Sequence, residues 1–428
     1  MEPNSKTEEN KQVTPFKVQT TGQVVDYDKL VKEFGCSLIS PELIQKFETT
    51  TGQKAHLLLR RGHFFTHRDF DVILDLYSQA KPFYIYTGRG PSSSSLHIGH
   101  IIPFMFTKYL QDVFDVPVVI QITDDEKFLY TPTMELDISR KSAIENIKDI
   151  IAVGFNPEKT FIFQDTEYIG SMYMNAIKVQ KMLTLNQIQG IFGFSDSDNI
   201  GKYAFPAMQA VPSFSNTFPH IFGTNTKVPC LIPMGIDQDP YFRMTRDIAH
   251  RMKYMKPSCI HSKFIPALQG ANGKMSASDP KSAIFLTDTS DEIKSKINKY
   301  AFSGGKDTAE EQKKFGANLD IDVSYQYLKF FMEDDANLLE IGEKYKKGEM
   351  LTGEIKAILI GIVQAFVMKH QKARAMVTDE VVKHFCSVRK IMPVSAKYKE
   401  MKEILEKAKT KAKLEGKQPC PQKEEHKD

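Results

Sequence analysis

Two short stretches of the chain carry residue types suited to phosphate chemistry. One is His97-Ile98-Gly99-His100; the other, about 175 residues further on, is Lys274-Met275-Ser276-Ala277-Ser278. The first follows an apolar run, Pro82-Phe83-Tyr84-Ile85-Tyr86, and a turn-rich segment, Thr87-Gly88-Arg89-Gly90-Pro91-Ser92-Ser93. A helical pattern opens at His97 or Ile98. Two imidazoles and a glycine then stand at a helix N-terminus, where unbonded N–H groups and the helix dipole attract anions. Gly99 leaves room for a nucleotide against the backbone. The second stretch sets a lysine and two hydroxyls in a loop between Gly270, Gly273 and Pro280. Lysine binds phosphate as a point charge and the serines add donors, so the loop suits an arm that closes on phosphates.

Other residues compete for attention with plainer readings beside them. Histidines at i and i+3 also suit a metal, but no third ligand stands near. Thr123-Asp124-Asp125-Glu126-Lys127 follows an apolar strand and fits a metal or an ammonium group, with a helix cap or solvated charge as the plainer reading; Ile236-Asp237-Gln238-Asp239 is placed the same way. Gln121 lies inside an apolar strand, where an amide without partners is costly. It needs either a ligand or a structural hydrogen bond. The aromatics of 205–222 read as core, with Gln209 as the polar exception.

The elements that must position these residues alternate. Apolar runs at 82–86, 116–122, 160–164, 228–236 and 283–287 read as strands. Helical patterns fall between them at 98–114, 138–153, 173–192 and 239–254. This alternation predicts an α/β fold with a Rossmann-like, doubly wound parallel sheet over residues 70–289. Ligands then bind at the carboxyl ends of the strands, where both signature stretches and Gln121–Glu126 fall. After about Ser290 the patterns are all helical. Ile355, Ile358, Leu359, Ile362, Val363, Phe366 and Val367 form one apolar stripe, so 290–392 reads as an all-α domain. Residues 1–25 read as a disordered tail, 26–69 as a small N-terminal element with the run Arg60-Arg61-Gly62-His63-Phe64-Phe65, and 393–428 as a lysine-rich tail.

Composition sets bounds. The 428 residues, 41% hydrophobic and 26% charged, suit a soluble globular protein of two or three domains. A net charge of +4 does not by itself select nucleic acid as a partner. Five scattered cysteines without a CxxC pair predict free thiols in a reducing compartment and no metal-ligating set. The N-terminus lacks the apolar core of a signal peptide, so cytoplasm and no membrane are expected. The chain contains no tryptophan.

Taken together with Tyr86–Ser93, Thr123–Lys127, Ile236-Asp237-Gln238-Asp239-Pro240-Tyr241-Phe242-Arg243 and Ala301-Phe302-Ser303-Gly304-Gly305, the two signatures resemble those of the class I aminoacyl-tRNA synthetases. Within them the likeness is to the cytosolic eukaryotic tryptophanyl branch, over about residues 26–392. The resemblance implies a ligase that forms tryptophanyl-AMP and pyrophosphate from L-tryptophan and Mg-ATP, then transfers tryptophan to the 3′ end of tRNA(Trp). It implies a homodimer, with ATP and Mg2+ as cofactors and no resident metal site. It also implies roles. Gly88, Arg89, His97, Gly99, His100, Lys274, Ser276 and Ser278 would hold ATP. Tyr86 and Gln121 would meet the indole N–H, and Glu126, Gln209 and Gln238 the α-ammonium. His97, His100, Lys274, Arg89 and Gln238 form the catalytic set. Lys306 and Asp307 would touch the tRNA anticodon, and the 60–65 run would belong to an extension packed over the active site. Where the family's general loop has a second lysine, this chain has Ala277.

Three rivals stay open on the sequence. One is a tyrosine-activating relative, one a nucleotidyltransferase with a similar His-x-Gly-His, and one a non-catalytic binding protein on the same fold.

Overall fold

The computed structural model of the chain describes residues 27–394 apart from Ser278, with Tyr398, Glu400, Met401, Glu403, Ile404, Lys407 and Thr410 beyond them. The tail expected over 1–25 and most of the lysine-rich end lie outside the described residues.

A seven-stranded sheet carries the fold: β1 (Ser37–Leu38), β2 (Phe64–Arg68), β3 (Tyr84–Arg89), β4 (Val118–Ile122), β5 (Thr160–Gln164), β6 (Cys230–Gly235) and β7 (Ser258–Ser262). Their order is β1-β2-β7-β6-β3-β4-β5. The run β7-β6-β3-β4-β5 is parallel, and β2 pairs antiparallel with β7, as β1 does with β2. β4, Val-Val-Ile-Gln-Ile, is buried along its whole length. That is the composition of a strand covered on both faces by helices. The chain winds from β3 outward through β4 and β5, then returns to the other side of β3 as β6. The crevice between β3 and β6 is therefore the switch point of the winding.

The N-terminal segment, expected as a separate small element, supplies β1 and β2 to this same sheet. The basic run is consumed in packing. Arg60 and Arg61 both bind the carboxylate of Asp335 in the helical region, at 2.5 and 2.6 Å.

Three expectations need correction. Residues 283–287 do not form a strand. Ala283, Ile284 and Leu286 are buried, but only Phe285 makes a bridge, to His97, and Asp288 turns the chain by accepting from the Phe285 N–H at 2.8 Å. The helix expected over 173–192 is two helices, Asp165–Met182 and Leu185–Phe192. Thr184 separates them by capping the second, its hydroxyl accepting from Gln187 N at 3.3 Å. The helix expected to reach 254 ends at Ala249, and Lys253 takes a left-handed conformation (φ 59°). Of the parallel strands, the one missed by pattern is β7, Ser-Cys-Ile-His-Ser, whose polar His261 is buried against Thr66 and Asp239 at 3.1 and 3.0 Å.

After the sheet come helices Ser290–Tyr300, Ala309–Phe315, Val323–Phe331, Asp335–Lys346, Thr352–Ala375 and Asp379–Cys386. Ile355, Leu359, Val363 and Val367 bury the expected stripe of the long helix. One continuous apolar core joins this region to the sheet. A buried polar contact joins them too: Asp149 of helix Leu136–Ala152 meets His370 at 3.1 Å and Arg374 at 2.8 Å. A two-stranded hairpin, β8 (Pro266–Ala267) and β9 (Gly270–Lys274), carries Lys274 at its end.

Candidate active site

A cavity of about 330 Å³ opens at the carboxyl ends of β3 and β6. Its walls come from the ends of the strands and from the helices that follow them. β3 gives Tyr86, Gly88 and Arg89. The start of helix Ile98–Phe114 gives His97, Gly99 and His100. Helix Asp124–Tyr130 after β4 gives Glu126 and Lys127, helix Ile200–Ala210 gives Gln209, and the short 3-10 helix Ile236–Gln238 after β6 gives Asp237 and Gln238. The described residues that line it include nine of those marked in the sequence: Tyr86, Gly88, Arg89, His97, Gly99, His100, Glu126, Gln209 and Gln238.

One end of the cavity is a hydrogen-bonded ladder. Gln209 donates its amide N–H to the Tyr86 oxygen at 2.8 Å. The Tyr86 hydroxyl donates to Gln121 Oε1 at 2.5 Å, with the Gln209 carbonyl as a longer alternative at 3.1 Å. Gln121 Nε2 donates to both carboxylate oxygens of Asp165, at 2.8 and 2.9 Å, and to the Met208 carbonyl at 3.2 Å. Gln121 thus stands behind Tyr86 rather than in the cavity wall, and its buried amide is satisfied within the protein. Burial pushes the Tyr86 hydroxyl well up from its ordinary value, so it stays protonated. The Asp165 carboxyl is also raised, by burial and by the neighbouring Asp125, which is itself lifted to about 6. Glu126 accepts from the Thr123 hydroxyl at 2.8 Å and lies 3.6 Å from the Lys127 ammonium.

The opposite end is cationic and loosely tied. The rings of His97 and His100 stack with centroids 3.4 Å apart. His100 Nδ1 lies 3.5 Å from the His97 N–H and 3.3 Å from the Arg89 guanidinium. Arg89 also donates to Asn146 at 3.3 Å. Burial lowers the Arg89 guanidinium to about 10, against the raising effect of Glu126, which leaves it charged at neutral pH. A Cβ on Gly99 would stand 3.1 Å from the His97 ring and 3.2 Å from Met275 Sδ. The helix N-terminus is therefore closely packed where the sequence placed a nucleotide.

Of the remaining candidates, Ser276, Lys306 and Asp307 do not line the cavity. Lys274 ends β9, paired in register with Pro266, directly before Met275, which does line the cavity. Ser276 exchanges hydrogen bonds with Ser282. Ser278 lies outside the described residues. Lys306 and Asp307 are exposed in the turn before helix Ala309–Phe315, and the Lys306 N–H is held by Gln312 at 3.0 Å.

Three residues at the site escaped the sequence reading. Asp165 follows β5 as Asp124 follows β4, and that parallel placement was the available signal. Asn146 and Lys263 gave none: one is a single amide on an amphipathic helix, the other a lysine after a strand of mixed polarity. Among the described residues, the candidate ligand trio Cys36, Asp239 and His261 is buried. Asp239 there makes two 2.8 Å bonds to Arg68, which hold its carboxylate below the usual range. The trio is read as an ion-paired brace between β2 and the turn after β6.

Comparison with known proteins agrees with this geometry. Residues 78–368 match the family model described as tRNA synthetases class I (W and Y). The chain belongs to that family, with a class I fold. The cytoplasmic tryptophan–tRNA ligase of Homo sapiens is 57% identical over 393 residues, 91% of this chain and 83% of that protein. That of Dictyostelium discoideum is 56% identical over 384 residues, 89% of this chain and 96% of its own length. Among solved structures, the tryptophanyl-tRNA synthetase of Plasmodium falciparum superposes with a TM-score of 0.81 at 54% identity, covering 86% of this chain and 98% of its own. That of Encephalitozoon cuniculi, solved bound to tryptophan, gives 0.79 at 43%, with 85% and 98% covered. No helix among the described residues is long and apolar enough to cross a membrane.

Proposed function

We propose the following course for the reaction in this cavity. The protein is an aminoacyl-tRNA ligase for tryptophan, working in the cytoplasm with ATP and tRNA as co-substrates. Tryptophan lies with its indole against the Tyr86–Gln209 end and its α-ammonium near Glu126, Gln209 and Gln238. ATP lies along His97, Gly99, His100 and Arg89, with Ser276, Ser278 and Lys274 closing over the β- and γ-phosphates. The tryptophan carboxylate oxygen attacks the α-phosphorus, and the bond to the bridging oxygen breaks. Pyrophosphate leaves with that electron pair. The protein supplies no covalent nucleophile; its part is to align the two substrates and neutralise phosphate charge. In the second step a terminal ribose hydroxyl of tRNA attacks the aminoacyl carbonyl, and AMP leaves. Mg2+ arrives as the ATP complex. Such an ion keeps water and phosphate ligands and needs no protein cage, which suits a cavity whose Glu126 is already held by Thr123 and Lys127.

The observation that carries this reading is the polarity of the cavity. Hydrogen-bond acceptors in a buried ladder face one end, and cations with a helix N-terminus face the other. Amino-acid-dependent ATP–pyrophosphate exchange, run with each of the twenty amino acids, tests it. Exchange with tryptophan alone is expected; exchange with tyrosine would overturn the pocket assignment, and exchange with none would overturn the reaction.

Two partner readings go with it. Lys306 and Asp307, exposed at the tip of the helical region, meet the tRNA anticodon; alanine at both is expected to weaken aminoacylation and spare pyrophosphate exchange. The protein works as a homodimer. Ile169, Tyr173, Met174 and Ile177 expose an apolar stripe on one face of helix Asp165–Met182, the kind of patch that marks an interface. Sedimentation equilibrium should give twice the chain mass, and Tyr173→Glu should shift it toward the monomer. A wild-type monomer at micromolar concentration would end that reading.

A further inference from the structure

The ladder behind the indole pocket has a direction, and its last member sets it. Tyr86 lines the cavity and Gln121 stands behind it, so the pocket's character depends on which way the Tyr86 hydroxyl points. Gln121 ends in an oxygen and an NH2 group of nearly equal size, and either could face Tyr86. Around the far end of this amide stand only acceptors: the two carboxyl oxygens of Asp165 and the Met208 carbonyl. The NH2 must therefore face them, and the oxygen must face Tyr86. The Tyr86 proton is drawn inward to Gln121, while Gln209 donates to the same phenol oxygen. What Tyr86 has left to offer the cavity is a lone pair. A ring N–H, which donates and cannot accept, is the partner that a lone pair selects.

We propose that Asp165 is a positioning and specificity residue for tryptophan. It acts through Gln121 to hold the Tyr86 hydroxyl as an acceptor toward the indole N–H, without touching the substrate itself. Asp165 follows β5 and is buried to 1% exposure beneath the strand that carries Gln121. Asp125, hydrogen-bonded to its other side, supplies a partner for any proton Asp165 retains, so the oxygens that face Gln121 remain acceptors. An amide in place of the carboxyl would remove this bias. Its own NH2 could meet the Gln121 oxygen, Gln121 could then turn its NH2 to Tyr86, and the phenol proton would swing toward the cavity. There it would oppose the indole N–H.

The inference rests on the reading of Tyr86 as the group that meets the indole. Its test uses Asp165→Asn, Asp165→Glu and two substrates in pyrophosphate exchange: tryptophan, and the analogue with sulfur in place of the ring N–H. The wild type should favour tryptophan in kcat/KM by at least about tenfold, the worth of one well-made buried hydrogen bond. Asp165→Asn should raise the KM for tryptophan about tenfold or more on the same basis and leave the KM for ATP unchanged. The analogue should be nearly unaffected, so that the preference collapses. Asp165→Glu keeps an acceptor and should retain most of the preference.

A ratio of two substrates does not depend on how much variant folds. Where turnover is too weak to follow, the protein's lack of tryptophan lets binding be read from the fluorescence of the bound amino acid. Equal losses for both substrates in Asp165→Asn would show a merely structural role and overturn the proposal. A wild type that activates tryptophan without preferring it over the analogue would overturn it together with the pocket reading. A wild type that activates neither would instead overturn the proposed function.

Discussion

The two ends of the cavity are built to different tolerances. At the Tyr86 end the bonds among Gln209, Tyr86, Gln121 and Asp165 run from 2.5 to 3.1 Å, and Tyr86 and Gln121 sit on strands β3 and β4, each locked between neighbours on both sides. At the His97 end the contacts of His100 and Arg89 are 3.3 to 3.5 Å. Lys274, proposed to close over the phosphates, ends a strand of a two-stranded hairpin outside the main sheet. The contrast fits what the proposed reaction asks of each end. Telling one aromatic amino acid from another needs acceptors fixed before the ligand arrives, since a displaced acceptor no longer penalises the wrong ring. Binding a triphosphate and releasing pyrophosphate needs charge that can follow the phosphates, and Coulomb attraction tolerates ångström-scale movement.

The largest expected effect tests the His97 end. Lys274→Ala should lower kcat for pyrophosphate exchange by about 10²–10³-fold, the usual loss when one preorganised stabiliser of transition-state charge is removed. The KM for tryptophan should barely move. A large rise in that KM would mean that the hairpin helps to form the amino-acid pocket, and the division between the ends would fail. Next in size is Tyr86→Phe at the rigid end. It leaves Gln121 Oε1 without its 2.5 Å donor and Gln209 Nε2 without its 2.8 Å acceptor. It also removes the acceptor proposed for the indole N–H, and leaving that donor unpaired in the bound state costs about 1–3 kcal/mol, roughly 5- to 150-fold in kcat/KM for tryptophan. The KM for ATP should stay within error. Losses shared equally by both substrates would show a general collapse of the cavity.

The same contrast explains what could be read in the sequence. The rigid scaffold was legible because it is repetitive. Four of the five parallel strands, and the long helix with Ile355, Leu359, Val363 and Val367 buried, announce themselves by apolar runs and periodicity. His97–His100 was legible because its chemistry is local: ring, glycine and helix start within four residues. What stayed hidden depends on contacts distant in sequence. β7 was missed because its polar residues are satisfied by β2 and by Asp239, from segments nearly 200 and about 20 residues away. Gln121 could be flagged as an expensive amide, yet nothing local said whether a ligand or Asp165, 44 residues on, satisfies it. Arg60 and Arg61 stood out only as part of a basic-aromatic run, since Asp335, which neutralises them, lies some 275 residues downstream.

The smallest expected effects come from adding one carbon at each end. A Cβ on Gly88 would stand 3.3 Å from the Gln121 backbone oxygen and 3.8 Å from Gln209 Nε2. That oxygen belongs to β4, pinned between β3 and β5, so it has little room to yield. A Cβ on Gly99 would stand 3.1 Å from the His97 ring and 3.2 Å from the Met275 thioether. Both are side chains, and an unbranched thioether repacks readily. Alanine is also favoured over glycine in a helix by about 1 kcal/mol. Gly88→Ala should therefore cost about 1 kcal/mol of overpacking, lower Tm and raise the KM for tryptophan. Gly99→Ala should leave Tm unchanged or slightly higher and raise the KM for ATP, because its methyl occupies space at the helix N-terminus. Melting curves and the two KM values for each variant decide the matter. A Gly99→Ala protein that melts lower than Gly88→Ala would show that the nucleotide end is the more rigidly packed of the two, and would reverse the comparison.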